Sequence, residues 1–374
     1  MSQVNILKYE ILSAQGDLSQ TLSAIKNEDI KLSSKIASIL DGDITVPYFL
    51  LENVKKKSPN DIYNLLKNIV STVISDLDAE QRKSTALILG TCLPDLNMTS
   101  NIEANRENEL PEYSSEKTSV DTYARKLCQE FALNDFSMTI STACTSSANA
   151  ILEAQNFLKN NIFENVVVVG AEISLKMIND GFSSMKLLAQ KKQKPFDKKR
   201  DGLILGEAIG AVLLGKGKSS FSLEGGFTNC DSINITSVSE DGSEYVDVMK
   251  TALQNANITT KDITALKAHA TGTHTNDLSE INAISKLFST NVVFTALKPY
   301  IGHTLGACGV VELCIFIKAL EDGFIPKALN HSESILDDYS PLIEHKKCDS
   351  GIFMLNYFGF GGNNTSLIIK KEST

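Results

Sequence analysis

The stretch MTISTACTSSA, residues 138–148, decides how the chain around it folds. Its first part is a β-branched run that ends at Thr142, which is typical of a buried strand. Apolar residues then recur at helical spacing, at Ala148, Ile151, Ala154 and Leu158. Cys144 therefore lies where a strand turns into a helix, and the free N–H groups and the dipole of a helix start favour a thiolate. The alternative is inert packing, because free cysteines are commonly buried.

Composition narrows the function classes. The chain has 374 residues, 42% of them hydrophobic, and a net charge of −9. Its length predicts two domains or two fused halves. The acidic balance argues against nucleic acid as a partner, since phosphate contacts need a basic face.

The cysteines and the chain start indicate a cytoplasmic protein. Seven cysteines without a CxxC pair, and no closely spaced histidines, argue against a disulfide framework or a metal site. The first residues, MSQVNILKYEILS, lack the pattern of a signal peptide. No apolar run approaches the ~20 residues of a membrane-spanning helix, so we expect no membrane insertion.

Strand and helix patterns alternate along the chain. Strands are expected at residues 4–12, 84–90, 166–171, 208–214, 220–225, 263–268, 292–296, 352–357 and 366–369, in addition to the strand before Cys144. Helices are expected at 62–77, 120–131, 245–256, 277–288 and 306–320. Residues 18–40 look helix-prone, 45–54 are apolar without a period, and 97–119 suggest a long surface excursion.

This alternation predicts two similar α/β halves. Each half offers about five strands interleaved with helices, which favours a mostly parallel sheet in each half and an ancient duplication. We predict an N-terminal half, 1–215, that carries Cys144, and a C-terminal half, 216–374, that carries two histidine motifs.

The histidine motifs follow predicted strands. His269 lies in HATGT (269–273), with Asp277 and Glu280 shortly after it. His303 lies in LKPYIGHTLGACGVVE (297–312), between Lys298 and Glu312. NYFGFGGNNTS (356–366) places two phenylalanines among glycines directly after a strand. Taken singly, each motif also fits a purely structural role.

Taken together with Cys144, the motifs resemble a known family. STACTSS around Cys144, PFDKKRDGLILGE (195–207), HATGT, LKPYIGHTLGACGVVE and NYFGFGGNN make the chain similar to a condensing enzyme of the β-ketoacyl-acyl-carrier-protein synthase family, of the elongating type with a Cys-His-His site. Their order and spacing agree over residues 84–370, whereas the first ~80 residues match loosely. The resemblance implies a thiolase-like fold: two similar halves in a five-layered α/β/α/β/α arrangement.

The resemblance also implies a mechanism. Cys144 would take an acyl group from a thioester, and its N–H with that of Phe360 would form the oxyanion hole. His269 and His303 would donate hydrogen bonds to the enolate left when a malonyl thioester loses CO₂. The reaction is a decarboxylative Claisen condensation in fatty acid, polyketide or polyene biosynthesis.

Further residues receive supporting roles from the resemblance. Lys298 belongs to a charged network with Glu312, and with Asp277 and Glu280, that fixes the histidines. Phe360 matches a gating residue over the nucleophile. Thr271 and Thr273 match threonines that contact the pantetheine arm of the substrate. No cofactor is implied beyond the phosphopantetheine that carries the substrates.

The implied partner is an acyl carrier protein, which is acidic. A basic stretch could dock it: Lys191, Lys192, Lys194, Lys198, Lys199 and Arg200. A solvated loop is the alternative for this stretch. The resemblance also implies a homodimer, or a heterodimer with a related synthase subunit.

Two rival functions stay open at this point. In a chain-length factor, a partner subunit that shapes the pocket, the nucleophile is typically lost, whereas Cys144 and both histidines are present here. A thiolase-type acyltransferase uses a second cysteine near the C-terminus, for which Cys348 is a candidate without the expected Cys-Gly setting. The departures from the family pattern, Ala270 for glycine and Leu203-Ile204 for an aromatic-aliphatic pair, remove no reacting group.

Overall fold

The computed structural model of the chain describes residues 3–51, 59–92, 121–173, 176–231, 238–289 and 292–373. Its strands are β1 (Val4–Ser13), β2 (Gly16–Asp17), β3 (Ser33–Ile39), β4 (Gly42–Phe49), β5 (Thr85–Gly90), β6 (Ser137–Ile140), β7 (Asn165–Glu172), β8 (Leu205–Gly206), β9 (Ala208–Gly215), β10 (Phe221–Cys230), β11 (Ile263–Lys267), β12 (Phe294–Thr295), β13 (Phe324–Ile325), β14 (Lys346–Lys347), β15 (Gly351–Phe358) and β16 (Asn363–Lys371). Its helices are α1 (Leu18–Asn27), α2 (Pro59–Val73), α3 (Ala79–Lys83), α4 (Thr122–Phe131), α5 (Ser146–Lys159), α6 (Lys176–Ser184), α7 (Ser243–Asn255), α8 (His274–Leu287), α9 (Lys298–Ile301) and α10 (Cys308–Glu321).

The main sheet repeats one topology twice. Its order is β12-β11-β15-β16-β10-β1-β9-β7-β5-β6, with β2 beside β1. Five strands of each half, leaving out β2, can be numbered in chain order: β1, β5, β6, β7 and β9 in the first half, and β10, β11, β12, β15 and β16 in the second. From the centre of the sheet outward, both halves then place their first, fifth, fourth, second and third strands in the same order. The parallel pairs also correspond, because β5 pairs with β6 and β7 as β11 pairs with β12 and β15. The repeated order agrees with a duplicated α/β unit.

Helices cover both faces of each half of the sheet. In β7, Val166 and Val168 face a central core, while Val167 and Val169 face an outer one formed with α2 and α4. A third core lies between the second half of the sheet and α7 and α8. The period of two along the strands thus separates the cores into layers. The predicted five-layered, thiolase-like α/β arrangement is confirmed.

The central layer positions the site. Helices α5 and α10 pack against each other and against strands of both halves. They approach so closely that a Cβ on Gly309 would lie 2.2 Å from the backbone nitrogen of Ala148. Because α5 starts just after Cys144 and α10 starts just after His303, this packing brings the starts of the two helices together.

Most predicted strands and helices are confirmed, and the sheet of each half is mostly parallel as predicted, since four of its five main strands run in the same direction. In each half the fifth strand runs antiparallel to both of its neighbours. The tight turn from β15 to β16 forces this arrangement in the second half, since so short a connection can join only antiparallel strands. The strand before Cys144 was predicted to be buried, but β6 is half-exposed. Among the described residues it pairs only with β5.

The N-terminal region departs further from its predicted structure. The helix-prone stretch 18–40 contains α1 and then β3, which forms an antiparallel hairpin with β4 around Gly42. The hairpin is largely exposed, so its sequence carries no clear apolar alternation. The expected excursion at 97–119 lies outside the described residues. The division into 1–215 and 216–374 stays a prediction.

No helix in the part of the chain that the structure describes is both long enough and apolar enough to span a membrane.

Candidate active site

Cys144 lies in a strained turn between β6 and α5. The preceding residue, Ala143, has a φ of +52°, in the left-handed region that non-glycine residues rarely adopt. Ser146 fixes the turn, because its hydroxyl accepts from the N–H of Thr142 and donates to the carbonyl of Ala143. The side chain of Cys144 is buried and lines the pocket between the two halves.

Several donors face the sulfur. Nε2 of His303 lies 3.1 Å from Sγ of Cys144, and the N–H groups of Phe360 and of Cys144 itself also donate to the sulfur. Phe360 can come this close because Gly359 packs against Cys144, where a Cβ on Gly359 would be 3.2 Å from the Cys144 nitrogen. The two N–H groups that the resemblance assigns to an oxyanion hole therefore converge at Cys144.

Burial opposes ionisation of the resting thiol. It raises the pKa of Cys144 to about 11, although Lys298 and the N–H of Phe360 act in the opposite direction. The expectation that the strand-to-helix turn by itself favours a thiolate is therefore not met. The physical reason is desolvation, which outweighs the nearby donors.

His303 is held by backbone contacts on both sides. Its N–H donates to the carbonyl of Ile204 at 2.7 Å, and its carbonyl accepts from the N–H of Gly206 at 3.1 Å. Its Nδ1 accepts from the N–H of Leu305 at 3.3 Å. A neutral ring in this position carries its proton on Nε2, which points at Cys144.

His269 faces the same pocket from the end of β11. Its ring centroid lies 5.3 Å from that of His303, with the rings at 84°. Glu280 holds the backbone here, because its carboxylate accepts the N–H groups of His269 and Ala270 at 2.7 and 2.8 Å. Burial raises the pKa of Glu280 to about 7, and these two donors oppose that shift.

Lys298 contacts His269 rather than its sequence neighbour His303. Its Nζ lies 3.3 Å from Nδ1 of His269 and 2.7 Å from Glu312. A protonated lysine donates to Nδ1, so the neutral ring of His269 carries its proton on Nε2. The predicted link between Lys298 and Glu312 is thus present, and it acts on His269.

Both imidazoles are neutral at physiological pH. Burial is the main reason that the pKa values of His269 and His303 lie well below that of an ordinary histidine, and the positive charge of Lys298 adds to it. Two neutral rings with Nε2–H groups beside one sulfur can stabilise an anion without giving up a proton.

Asp277 lies apart from the histidines. Its carboxylate accepts the N–H groups of Phe196 and Gly272 at 2.7 and 3.0 Å. It therefore ties the segment 195–207 to HATGT. The hydroxyls of Thr271 and Thr273 are 2.9 Å apart, and both residues line the pocket.

The pocket has a volume of about 150 Å³ and combines the reacting groups with aromatic walls. Phe360 stacks on Phe182 of α6, with ring centroids 5.6 Å apart at an angle of 21°. The residues that line the pocket include Cys144, Phe182, Lys186, Leu203, Val238, Tyr245, His269, His274, His303, Phe358 and Phe360. Phe182 and Lys186 were not predicted, since residues 176–186 carry no motif.

The basic stretch divides into two parts. Lys191, Lys192, Lys198 and Lys199 are exposed and Lys194 is half-buried. Arg200 is buried, and its guanidinium donates to the carbonyls of Asp197, Thr273 and His274. The assignment of Arg200 to a docking surface is therefore wrong, because its donors are used inside the fold.

Two buried charges were missed by sequence analysis. Lys267 contacts Glu312, and its signal is a lysine within an otherwise apolar strand. Glu172 lies near Cys144 and accepts the N–H groups of Cys92 and Gly306, both at 3.0 Å. Its other oxygen has no hydrogen-bond partner among the described residues, and burial raises its pKa to about 8.

The other thiols do not supply a second nucleophile of the thiolase kind. Cys348 donates to the carbonyl of Ser350 and does not line the pocket. Cys308 donates to the carbonyl of Cys144 at 3.0 Å, and burial raises its pKa far above that of a free thiol.

A duplicated five-layered α/β fold with a buried cysteine between its halves defines the thiolase-like class of proteins. Family models narrow this class: the N-terminal domain of β-ketoacyl synthase matches residues 69–219, and its C-terminal domain matches 221–332. The chain belongs to the β-ketoacyl synthase family.

Curated relatives agree with this membership. The chain is 33% identical over 275 residues to 3-oxoacyl-[acyl-carrier-protein] synthase 2 of Vibrio harveyi, a match covering 68% of this chain and 66% of that one. It is 27% identical over 328 residues to a putative mitochondrial 3-oxoacyl-[acyl-carrier-protein] synthase of Schizosaccharomyces pombe, covering 79% and 76%. Over the first four relatives the match spans 52–67% of their length.

Solved structures share the fold. A β-ketoacyl synthase from Burkholderia phymatum superimposes with a TM-score of 0.86 at 21% identity, covering 100% of both chains. The complex of the ketosynthase ApeO with its chain length factor ApeC from Xenorhabdus doucetiae gives a TM-score of 0.84 at 23% identity, covering 99% of this chain and 98% of that one.

Proposed function

We propose that the protein is a β-ketoacyl-acyl-carrier-protein synthase, which extends an acyl chain held on Cys144 with a unit from malonyl-acyl-carrier-protein. The observation that carries the proposal is the approach of Nε2 of His303 to within 3.1 Å of Sγ of Cys144, with the ring of His269 beside it. The family membership supports the same reaction class.

The first step is acyl transfer. The thiolate of Cys144 attacks the thioester carbonyl of the acyl carrier protein, and the N–H groups of Cys144 and Phe360 stabilise the oxyanion. The C–S bond to the pantetheine arm then breaks, and the released thiolate takes up a proton. Because burial raises the resting pKa of Cys144, its sulfur gives up the proton during this step, and that proton ends on the pantetheine thiolate that leaves.

The second step is decarboxylation. The bond between the malonyl α-carbon and its carboxylate breaks, CO₂ leaves, and the electron pair moves into the thioester as an enolate. The Nε2–H groups of His269 and His303 donate to the enolate oxygen. Because both rings are neutral, neither protonates the enolate carbon before it reacts.

The third step is condensation. The enolate carbon attacks the acyl carbonyl on Cys144, the same two N–H groups stabilise the oxyanion, and Cys144 leaves as a thiolate. The product is a β-ketoacyl chain on the carrier protein. No cofactor beyond the carrier's phosphopantetheine enters this sequence, and we place the reaction in the cytoplasm.

Two kinds of partner complete the proposal. An acidic acyl carrier protein docks near the exposed lysines of the basic stretch, beside the pocket. A second synthase subunit, identical or related, pairs with the open edge of β6, whose half-exposed residues have one neighbouring strand in the part of the chain described. The solved relative with a chain length factor supports a heterodimer as one form of this pairing.

Mass spectrometry tests the proposal. The purified protein is incubated with a panel of acyl-carrier-proteins, and the Cys144 peptide is analysed for an acyl adduct; malonyl-carrier-protein is then added and the carrier-bound products are identified. We expect an adduct on Cys144 and a β-ketoacyl product two carbons longer. A protein that takes no acyl group from any carrier in the panel would instead be a chain-length-factor-like subunit, and the proposal would be wrong.

A further inference from the structure

Lys267 is a buried cation that the mechanism above does not use. It ends β11, and its side chain is fully buried. Its Nζ lies 2.6 Å from Oε2 of Glu312 and 2.7 Å from the carbonyl of Asn356, and 3.6 Å above the ring centroid of Tyr357. An isolated ammonium in such a place would be costly, so these three partners define a built site for one charge.

We propose that Lys267 is a positioning residue for both histidines, which it reaches through Glu312, and for the Phe360 loop, which it reaches through Asn356. The proposal rests on the proposed function for its chemical meaning. Its physical content, a charge that controls the imidazoles, holds in the resting protein without substrate.

The first part of the argument is the sharing of Glu312. One of its oxygens binds Lys298 at 2.7 Å, and the other binds Lys267 at 2.6 Å. A carboxylate fixed at both oxygens cannot rotate away, so Lys298 stays within 3.3 Å of Nδ1 of His269. Without Lys267, one buried oxygen of Glu312 would lack this partner, and the geometry of the Lys298–His269 contact would loosen.

The second part is the net charge. Burial and the charge of Lys298 lower the pKa of Lys267, and its contact with Glu312 opposes that shift. With both lysines protonated, one carboxylate between two ammonium groups leaves one positive charge beside the two rings. Like charge disfavours a protonated imidazole, and Lys267 acts in this direction on both His269 and His303. Lys267 thus helps to keep both rings as neutral donors.

Other titratable groups lie near the rings or near the lysines and carboxylates that hold them. They are Cys144 and Glu172 from the first half, Tyr245 from α7, Asp277 and Glu280 from α8, Lys298 from α9, Cys308 and Glu312 from α10, and Tyr357 from β15. Lys267 and Lys298 are the lysines whose charge acts on both rings, so removal of Lys267 takes away one of these two cations.

The third part is the connection to the loop over the nucleophile. Asn356 and Tyr357 lie in β15, which pairs in parallel with β11 at Lys267 and Leu355. The strand ends at Phe358, one residue beyond Tyr357, and Gly359 and Phe360 follow it. The N–H of Phe360 faces Cys144. The contacts of Lys267 therefore anchor the base of this loop on the strand that carries His269.

Imidazole titration by NMR in the resting protein tests the proposal. The chain has five histidines, so the rings of His269 and His303 can be assigned by substitution. We compare wild type with Lys267→Met, which removes charge and donors, and Lys267→Gln, which keeps a donor to Glu312 without charge. In both variants we expect the two imidazole pKa values to rise by about one unit, a tenfold change in the protonation equilibrium.

Lys371→Met is the matched control. Lys371 is also a buried lysine of the sheet, but its Nζ donates to the carbonyl of Leu320 and does not contact Glu312. We expect Lys371→Met to leave both imidazole pKa values unchanged. Thermal unfolding checks that each variant is folded, and Lys267→Gln carries the test alone if Lys267→Met does not fold.

The kinetic readout separates this inference from the proposed function. In an active enzyme, the acidic limb of malonyl decarboxylation should move to higher pH in both Lys267 variants, while acylation of Cys144 keeps its pH dependence. Folded Lys267 variants with unchanged imidazole pKa values would overturn the inference, whether or not the protein condenses. Shifted imidazoles in a protein without condensing activity would overturn the proposed function alone.

Discussion

Nε2 of His303 lies 3.1 Å from Sγ of Cys144, although the two residues are 159 positions apart in the sequence. Because Nδ1 of His303 accepts the N–H of Leu305, the proton of the neutral ring lies on Nε2. The ring therefore faces the sulfur as a donor, not as a base. In the proposed mechanism, His303 stabilises the thiolate of Cys144 during acyl transfer and, together with His269, the oxygen of the enolate.

This geometry predicts unequal effects of His303→Ala on the partial reactions. Decarboxylation of malonyl-carrier-protein should fall by about 10²–10³-fold, the usual cost of losing one donor to a developing oxyanion. Acylation of Cys144 should fall by less than about tenfold, since the N–H groups that serve that step remain. Release of labelled CO₂ and the acyl adduct on the Cys144 peptide measure the two steps.

His331→Ala is the control for that comparison. His331 contacts the carbonyl of Pro195, outside the pocket lining. The His331→Ala variant should leave the ratio of the decarboxylation rate to the acylation rate unchanged. If His331→Ala and His303→Ala each lowered the rates of both steps by the same factor, the substitutions would act only by destabilising the fold, and His303 would have no specific role.

The resting thiol of Cys144 should be protonated at neutral pH. Burial raises its pKa to about 11, so the thiolate fraction, and with it the rate of alkylation by iodoacetamide, should rise about tenfold per pH unit from pH 7 to 9.5. Quantifying the modified Cys144 peptide measures this rate. Cys230 is exposed, so the experiment uses a Cys230→Ser background.

The Lys298→Met variant tests how the charge of Lys298 affects alkylation of Cys144. Lys298 lowers the pKa of Cys144, so its removal should slow alkylation at every pH in this range. An alkylation rate of the parent protein that does not change with pH from pH 7 upward would show that the buried thiol is already ionised at pH 7, contrary to the expected effect of burial.

The local part of the site was predictable from the sequence. The position of Cys144 between a strand and a helix follows from the β-branched run before it and the helical spacing of apolar residues after it. No distant part of the sequence is needed for this prediction. The Glu312–Lys298 pair lies within one motif, and the glycines around Phe360 indicate a turn after β15. In each case the decisive contacts lie close together along the chain.

The rest depends on packing between distant segments. Lys298 contacts His269 rather than His303 because α9 lies against the end of β11, a relation that spacing alone does not carry. Arg200 reads as a surface cation in a basic run, yet the fold surrounds it with carbonyl groups. Lys267 is the last residue of a five-residue strand, and a charged residue at a strand end is usually solvent-exposed, so the sequence does not mark it as functional.

Glu172 should make the protein less stable as the pH rises. Burial raises its pKa to about 8, whereas in the unfolded chain it returns to an ordinary value near 4.5. Between these values the unfolded state has lost a proton that the folded state keeps. The free energy of unfolding should therefore fall by up to about 1.4 kcal/mol per pH unit from this residue and level off above pH 8.

Chemical denaturation of wild type and Glu172→Gln measures this contribution. Glutamine does not titrate, so the difference in unfolding free energy between the two proteins should change across pH 4.5–8 and stay constant on either side. Glu164→Gln, at an exposed position, reports the effect of replacing a carboxylate outside the core. A difference that does not vary with pH would mean that Glu172 is ionised in the folded protein.

The stack of Phe182 on Phe360 should slow acylation. If Phe360 must move aside for an acyl chain to reach Cys144, the stack has to break, at about 0.5–1.5 kcal/mol for such an aromatic pair. Phe182→Ala should then raise the acylation rate about 2–10-fold. Stopped reactions analysed for the acyl-Cys144 peptide give the rate.

Phe163→Ala is the aromatic control. Phe163 packs on Phe136 and Phe157, and none of these three lines the pocket, so Phe163→Ala should leave acylation unchanged. Slower acylation in Phe182→Ala would show that Phe182 shapes the pocket for the substrate instead of restraining Phe360.

The exposed lysines of the basic stretch should steer the carrier protein. Reversing Lys191 and Lys192 together to glutamate places negative charge where an acidic carrier would dock. We expect kcat/KM for acyl-carrier-protein to fall about tenfold at low ionic strength, because rim charges act mainly on association. For a small acyl thioester without a carrier, kcat/KM should not change, since the pocket itself is untouched.

Salt and position distinguish steering from a general charge effect. At about 1 M ionic strength the Debye length is ~3 Å, so the variant and wild type should converge there. Lys261→Glu is the control: Lys261 is exposed and lies just before β11 begins, at the end of that strand away from His269. If Lys261→Glu weakens the reaction with the carrier as much as the double variant does, net charge is responsible and these lysines form no specific docking surface. A loss confined to the double variant, to the carrier substrate and to low salt places the carrier protein on this side of the pocket.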